Sequence, residues 1–299
     1  MFVEKRKELH NHFLVDFMVG GASASVSKTL GAPLERVKIL LQNQNEIVKS
    51  GKLAQPYSGM INCCKSIVRE EGFFSLWRGN YTNILRYFPT QAFNFAFKDE
   101  LHSLFNYSKE TDGHWKWAIG NVLSGSCAGL LSASITYSLD YTRTLLISDL
   151  KTKGVTNRQY TGILDVYKKT IAKEGVGGLY RGFWINAPAL IIYRGLYFGL
   201  YDTLKTVSFI KNNVYANFSM AFIVTVVATV PAYPFDTLRR RVMIRPYYDT
   251  NAFSVLSEIV RTEGWRALFL GLQVNILRSF AGATTLVIYD KIKTYFEFG

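Results

Sequence analysis

Polar and charged residues recur inside the long apolar stretches of this chain, at matching places in each. Apolar runs with helical periodicity predict six long helices, roughly residues 13–42, 80–105, 115–148, 183–209, 214–244 and 272–296. Each is long enough to cross a hydrocarbon layer of about 30 Å at about 1.5 Å per residue. Charges near the middle of such spans belong on an inward or water-lined face. Between paired spans lie amphipathic stretches near 59–70, 162–173 and 251–262, suited to lying along a membrane surface. Small-residue spacing at Gly20/Ala24, Gly21/Ser25 and Gly125/Gly129 predicts close helix approach in the first and third spans.

The polar interruptions follow one frame, used three times. Pro33, Glu35 and Lys38 are matched by Ser138, Asp140 and Arg143, and by Pro234, Asp236 and Arg239. An acid-glycine pair follows each (Glu71-Gly72, Glu174-Gly175, Glu263-Gly264), then an aromatic-x-glycine ending at Gly79, Gly182 or Gly271. A period near 100 residues means three stacked copies of one unit. The repeats are expected at 1–110, 111–212 and 213–299, within one all-α membrane domain of pseudo-threefold symmetry. From Gly79 to Asp99 and from Gly182 to Asp202 is 20 residues, and from Gly271 to Asp290 is 19, so each even span ends in an acid about one bilayer away. Lys205 and Lys293 follow two of those acids by three residues. Two charge rings result, and if they cannot close together they make an alternating-access gate.

Composition and charge narrow the class. Hydrophobic residues make up 48% and the net charge is +13. Basic loops beside apolar spans fit a membrane protein, not a nucleic-acid binder. Lys and Arg number 6, 8 and 6 in segments 38–79, 143–181 and 239–271, against 3 and 2 in 98–116 and 202–214. The three long loops therefore share one compartment, and both termini fall on the other side. Cys63, Cys64 and Cys127 form no disulfide framework, and the four histidines suggest no metal set. The N-terminus lacks the small-residue site of a cleavable signal, so targeting information is expected to be internal.

The candidate chemistry is binding without reaction. Arg86 and Arg278 each lie seven residues after a repeat glycine, at equal depth, where the second repeat has Ala189. Lys28 lies seven residues before Glu35, on its face, and Tyr193, Arg194 and Asn94 complete a cationic, partly aromatic pocket. Cations converging at mid-membrane without matching acids imply an anionic substrate. Arg239-Arg240-Arg241 has two cations more than the frame requires; it reads either as a headgroup anchor or as a polyphosphate contact. No P-loop, paired-carboxylate or nucleophile-base arrangement is present, so no enzymatic activity is expected.

The triplicated frame with its acid-glycine and aromatic-x-glycine partners resembles the mitochondrial carrier family over roughly residues 13–296. Arg86-Tyr87-Phe88-Pro89-Thr90-Gln91, Tyr193-Arg194 and Tyr233-Pro234-Phe235-Asp236 before the arginine triplet are similar to its adenine-nucleotide branch. The resemblance implies six tilted helices and electrogenic exchange of ADP for ATP across the mitochondrial inner membrane. The basic loops would face the matrix and the termini the intermembrane space. Lys28, Arg86 and Arg278 would hold phosphates, Leu190, Ile192 and Tyr193 would contact adenine, and Asn94 would add a polar contact. Arg239 and Arg240 would engage substrate during translocation. Gln42 would brace the matrix gate of Glu35, Lys38, Asp140, Arg143, Asp236 and Arg239. Asp99, His102, Asp202, Lys205, Asp290 and Lys293 would form the opposite gate, His102 replacing a usual lysine. Cardiolipin would bind beside Gly79, Gly182 and Gly271, with no other cofactor.

This chain departs from the family pattern at Ser138 (a gate proline), Leu145 (a second arginine), Ala189, Ala232, Val242, Ile244 and Leu270, the last read as a lost basic lipid contact. Two alternatives stay open. One is transport of another adenine nucleotide or anion. The other is a mainly structural subunit of a larger respiratory inner-membrane assembly.

Overall fold

The computed structural model describes residues 2–104, 113–151, 158–205, 214–246 and 251–280, and the regular elements among them are all helices. Three units follow one order of long helix, short helix, 3-10 turn, long helix. In the first, α1 (Phe2–Lys49), α2 (Met60–Glu71) and α3 (Asn80–Leu104) flank a turn at Phe73–Trp77. In the second, α4 (His114–Ser148), α5 (Ile163–Glu174) and α6 (Phe183–Lys205) flank Val176–Tyr180. The third has α7 (Val214–Ile244), α8 (Ala252–Thr262), a turn at Trp265–Phe269, and α9 described over 272–280.

α1 runs past the predicted end at residue 42, and Pro33 lies inside it. The extension has a cause in packing. Val37, Ile39, Leu40, Leu41 and Ile47 are buried in one cluster with Cys63 and Ile67 of α2 and Leu76 of the turn. The acid-glycine pairs are helix stops. Gly72, Gly175 and Gly264 have φ of 91°, 72° and 80° with extended ψ, a conformation that ends a helix and that essentially only glycine adopts.

α1, α4 and α7 touch one another pairwise, while α3 packs on α4 and α6 on both α4 and α7. These three, the first long helix of each unit, thus form an inner wall. The outward faces are apolar and exposed, at Val26 and Leu30 on α1, Ile119, Leu123, Leu131 and Ile135 on α4, and Ile223 and Val227 on α7. Ser124, Ser132, Thr136 and Asp140 on α4 are buried instead. A soluble helix has the reverse arrangement, and this one suits a lipid surround. Trp115–Ser148 and Ser219–Ile244 are apolar and long enough to cross a membrane unaided, each with mean hydropathy 1.4.

The small-residue spacing in α4 has a different use from the one predicted. A Cβ on Gly125 would lie 2.7 Å from Arg194 Nη1, and one on Gly129 would lie 3.0 Å from Arg194 Nη2. The two glycines form a slot for a guanidinium on α6, not a seam for close backbone contact. Gly21 is filled similarly, by the ring of Phe88.

Candidate functional site

The acid and cation of each frame are three residues apart and share a helix face. They pair chiefly between helices. Glu35 of α1 pairs with Arg143 of α4. Asp140 of α4 pairs with Arg239 of α7 at 3.0 Å, and Asp236 of α7 pairs with Lys38 of α1 at 2.9 Å. The six residues close a ring in which every repeat gives an acid to one neighbour and a cation to the other. Gln42 Nε2 donates to Asp236 Oδ2 and to Thr237 Oγ1, both at 3.2 Å, bracing the α1–α7 junction. Seven residues after the acids of the other repeats stand Ile147 and Met243, both buried, so the structure has this brace once.

A second set of contacts lies directly beneath. Gly79, Gly182 and Gly271 all have φ near +80°. A Cβ there would lie 3.6 Å from the Arg143 carbonyl, 3.2 Å from that of Arg239 and 3.0 Å from that of Lys38, respectively. Each repeat therefore docks a glycine on the backbone of the next repeat's gate cation. Below this level the acids of the acid-glycine pairs are also taken. Glu71 pairs with Arg36 at 2.6 Å, Glu263 with Arg241 at 2.6 Å, and Glu174 with Arg181.

Above the gate the balance of charge changes. A cavity of about 290 Å³ is lined by Glu35, Asp140 and Arg143 at its floor and by Arg86, Thr90, Leu190, Arg194, Arg239 and Arg240. Arg86 and Arg278 have buried Nε atoms without hydrogen-bond partners. Among the described residues Arg278 hydrogen-bonds Asn275, at 3.4 Å. Lys28 Nζ sits 5.0 Å from the centre of the Tyr87 ring. Among the described residues, no carboxylate pairs with Lys28, Arg86, Arg194 or Arg278, while all three gate acids are engaged. The result is a positive potential inside a low-dielectric wall, which concentrates anions. Tyr193, Tyr197 and Tyr201 stack along α6 with ring centres 5.9 and 5.8 Å apart, a ladder of flat surfaces on one helix.

Of the residues expected to hold substrate, Arg86 and Leu190 line this cavity, Lys28, Tyr193 and Arg278 are not among its lining residues, and Ile192 follows Leu190 on α6, partly exposed. Arg239 and Arg240 are committed to the gate in this conformation. Arg239 also reaches Asn186 at 3.0 Å, and Arg240 reaches Asp236 at 3.3 Å and Thr144 at 3.3 Å. Nothing in the repeat frame marks Asn186 or Thr144. Arg194 was visible beside Tyr193, but its slot in α4 was not. Asn94, Asp99, His102, Asp202 and Lys205 fall on α3 and α6 outside the residues whose side chains are described; Asp290 and Lys293 lie outside the described residues altogether.

Two departures are revised. The basic position at Leu270 is also a seam between repeats in the other two units. Its counterpart Arg78 donates to the Leu146 carbonyl at 2.7 Å and pairs with Asp149 at 3.1 Å, and Arg181 donates to the Arg245 carbonyl. At the third junction Arg241 donates to the Gln42 carbonyl at 3.0 Å and Arg245 pairs with Glu46 at 2.7 Å, crossing from α7 to α1. Ser138, in place of a breaker, accepts a 2.7 Å hydrogen bond from Tyr167 of α5.

A threefold bundle that is apolar outside, cationic within and shut at one end by ion pairs shared between repeats is a gated membrane carrier for anions. Its three units match the family described as Mitochondrial carrier protein over residues 9–109, 114–212 and 210–299, and the chain belongs to that family. It is 49% identical over 292 residues to ADP,ATP carrier protein 2, mitochondrial, of Zea mays, covering 95% of this chain and 76% of that one. It is 50% identical to the ADP,ATP carrier protein of Chlamydomonas reinhardtii, covering 94% of each. The Neurospora crassa ADP,ATP carrier protein is 48% identical, over 94% of this chain and 92% of its own.

Proposed function

We propose that this protein exchanges ADP for ATP across the mitochondrial inner membrane by alternating access. The observation that carries the reading is the set of cations, Lys28, Arg86, Arg194 and Arg278, that pair with no carboxylate among the described residues, above a gate whose acids are all engaged. Guanidinium groups hold phosphate oxygens in bidentate fashion, so three arginines and a lysine suit a polyphosphate. Leu190, Ile192 and Tyr193 on α6 offer the apolar and aromatic surface a purine ring needs, with Asn94 supplying a polar contact. Relatives about half identical over nearly the whole chain carry the name ADP,ATP carrier, which supports the same substrates here.

ADP and ATP differ by one negative charge, so one-for-one exchange moves charge and responds to membrane potential. The ring described here is the matrix gate in its closed state. Substrate engaging Arg239 and Arg240 draws them from Asp140 and Asp236 and opens it, while Asp99, His102, Asp202, Lys205, Asp290 and Lys293 close the intermembrane-space side. The basic loops lie in the matrix and both termini opposite. Cardiolipin is the expected lipid partner. A cavity of about 630 Å³ between the starts of α3 and α5, lined by Arg78, Gly79, Tyr81, Leu85, Gly162 and Ile163, joins helix N-termini to apolar walls and suits a phosphate headgroup with acyl chains.

The test is uptake of labelled ADP into cardiolipin-containing vesicles, loaded with ATP or empty. Uptake that needs internal nucleotide and is lost in Arg86→Ala is the expected result. Absence of exchange by folded protein, or equal uptake by empty vesicles, would overturn the reading.

A further inference from the structure

Two tyrosines stand behind the gate. Tyr137 and Tyr233 directly precede Ser138 and Pro234, and the first repeat has Ala32 in the same place. Each lies three residues before a gate acid, Asp140 or Asp236, and so shares its helix face. Both are almost fully buried, 2% and 1% exposed. The guanidinium carbon of Arg239 lies 5.8 Å from the Tyr137 ring centre while its nitrogen pairs with Asp140 at 3.0 Å. Lys38 Nζ lies 5.2 Å from the Tyr233 ring centre while it pairs with Asp236 at 2.9 Å. Both separations are within cation–π range. Arg143, the third gate cation, has Ala32 where the others have a ring, and it makes no such contact among the described residues.

The other end of each tyrosine is tied within its own repeat. Tyr137 donates its hydroxyl to the Arg181 carbonyl at 2.9 Å, and Tyr233 donates to the Leu270 carbonyl at 3.0 Å. These carbonyls belong to the residues just before Gly182 and Gly271, the glycines that dock on the next repeat. Each tyrosine is thus a post rooted in one repeat that offers its face to the cation of the next.

We propose that Tyr137 and Tyr233 are positioning residues that hold Arg239 and Lys38 in the closed gate and so bias the carrier toward that state. Opening takes the cation off the ring while the hydroxyl tie, internal to a repeat, stays made. The proposal rests on the exchange reading above. Loss of a ring weakens the closed-gate state alone. The population of the form that accepts substrate from the intermembrane-space side falls, and that of the matrix-accepting form rises.

The experiment measures half-saturation by nucleotide on each face, in vesicles of established orientation, for the natural protein, Tyr233→Leu and Tyr233→Phe. Tyr233→Leu is expected to raise half-saturation on the intermembrane-space face by roughly threefold to tenfold and to lower it on the matrix face. Tyr233→Phe keeps the ring and loses only a tie made in both states, so both values stay near those of the natural protein. If Tyr233→Leu yields no folded protein, opposed shifts in Tyr137→Leu decide. Shifts in the same direction on both faces, or none, in the leucine variant would overturn the proposal while leaving exchange intact. A natural protein that does not exchange would overturn the exchange reading, and this proposal with it.

Discussion

Glu174 ends α5 with no arginine at position 145 to receive it. Leu145 stands five residues after Asp140, where the third repeat has Arg241 five after Asp236. Arg181 takes the acid instead, from the aromatic-x-glycine of the same repeat. Leu145 joins the apolar cluster of Tyr137, Tyr141 and Val166. A charge missing at one point of the repeat is supplied from another, so single departures from the frame say little about function. At this scale the glycines are the sharpest test. An alanine at 271 takes a left-handed backbone, at about 1–2 kcal/mol, and meets the Lys38 carbonyl at 3.0 Å and the Tyr233 hydroxyl at 3.1 Å. We expect Gly271→Ala to lower the unfolding temperature in cardiolipin-containing detergent, and Gly59→Ala, where a Cβ meets nothing within 4 Å, to leave it nearly unchanged. The sequence showed the positions of these glycines through periodicity. Their reason, a close approach to a neighbour's gate carbonyl, is a three-dimensional fact that no spacing contains.

At the level of elements, the long helices and the short surface helices were legible to within a few residues wherever periodicity was strong, as at Met60–Glu71 and Ile163–Glu174. α1 continues past residue 42 because the apolar cluster that buries its end draws on α2, on Ile147 of α4 and on Val274 of α9, contacts that periodicity within α1 does not contain. Its last turns carry a charge cluster. Glu46 pairs with Arg245 at 2.7 Å, and Glu258 of α8 pairs with Lys49 at 2.5 Å and Arg245 at 2.6 Å. Hydrogen bonds from Arg245 and then Lys49 hold the Glu258 carboxyl down from an ordinary 4.5 to about 2. A depressed carboxylate adds stability above its unfolded pKa and loses it as pH falls toward the folded value. We therefore expect Glu258→Gln to lower the unfolding temperature at about pH 6 and to match the natural protein increasingly as pH falls toward about 3. A difference independent of pH would mean that the tie is packing, not charge. The side chain is 38% exposed, so the effect will be modest and will shrink in salt.

For the whole molecule, threefold organisation is the property most fully written in the chain, because three aligned copies make each coincidence of charge visible. What the copies share is the ring; where they differ is in how each junction is supported. The α1–α7 junction has Gln42 and the Tyr233 ring, the α4–α7 junction has the Tyr137 ring and Asn186, and the α1–α4 junction has Asn43 donating to Ser148 at 3.3 Å but, among the described residues, no ring. Those inequalities follow from single residues outside the frame, such as Ala32 and Ile147, which a search for repeats passes over. The inner cations have the same threefold origin with a gap, because Ala189 breaks the level that Arg86 and Arg278 share, and Arg194 enters from α6 through the glycine slot of α4.

The central claim is that one gate, made of ion pairs passed from repeat to repeat, controls a single path for nucleotide. Exchange of labelled ADP in ATP-loaded vesicles, measured for Lys38→Asp, Asp236→Lys and the two together, tests it most directly. Each single change leaves two like charges facing one another at a buried site, and breaking such a pair costs about 3–5 kcal/mol. We expect exchange to be nearly abolished in each single variant and substantially restored in the double, where the pair re-forms with its partners reversed. A double variant as inactive as the singles, with all three proteins folded, would contradict the account.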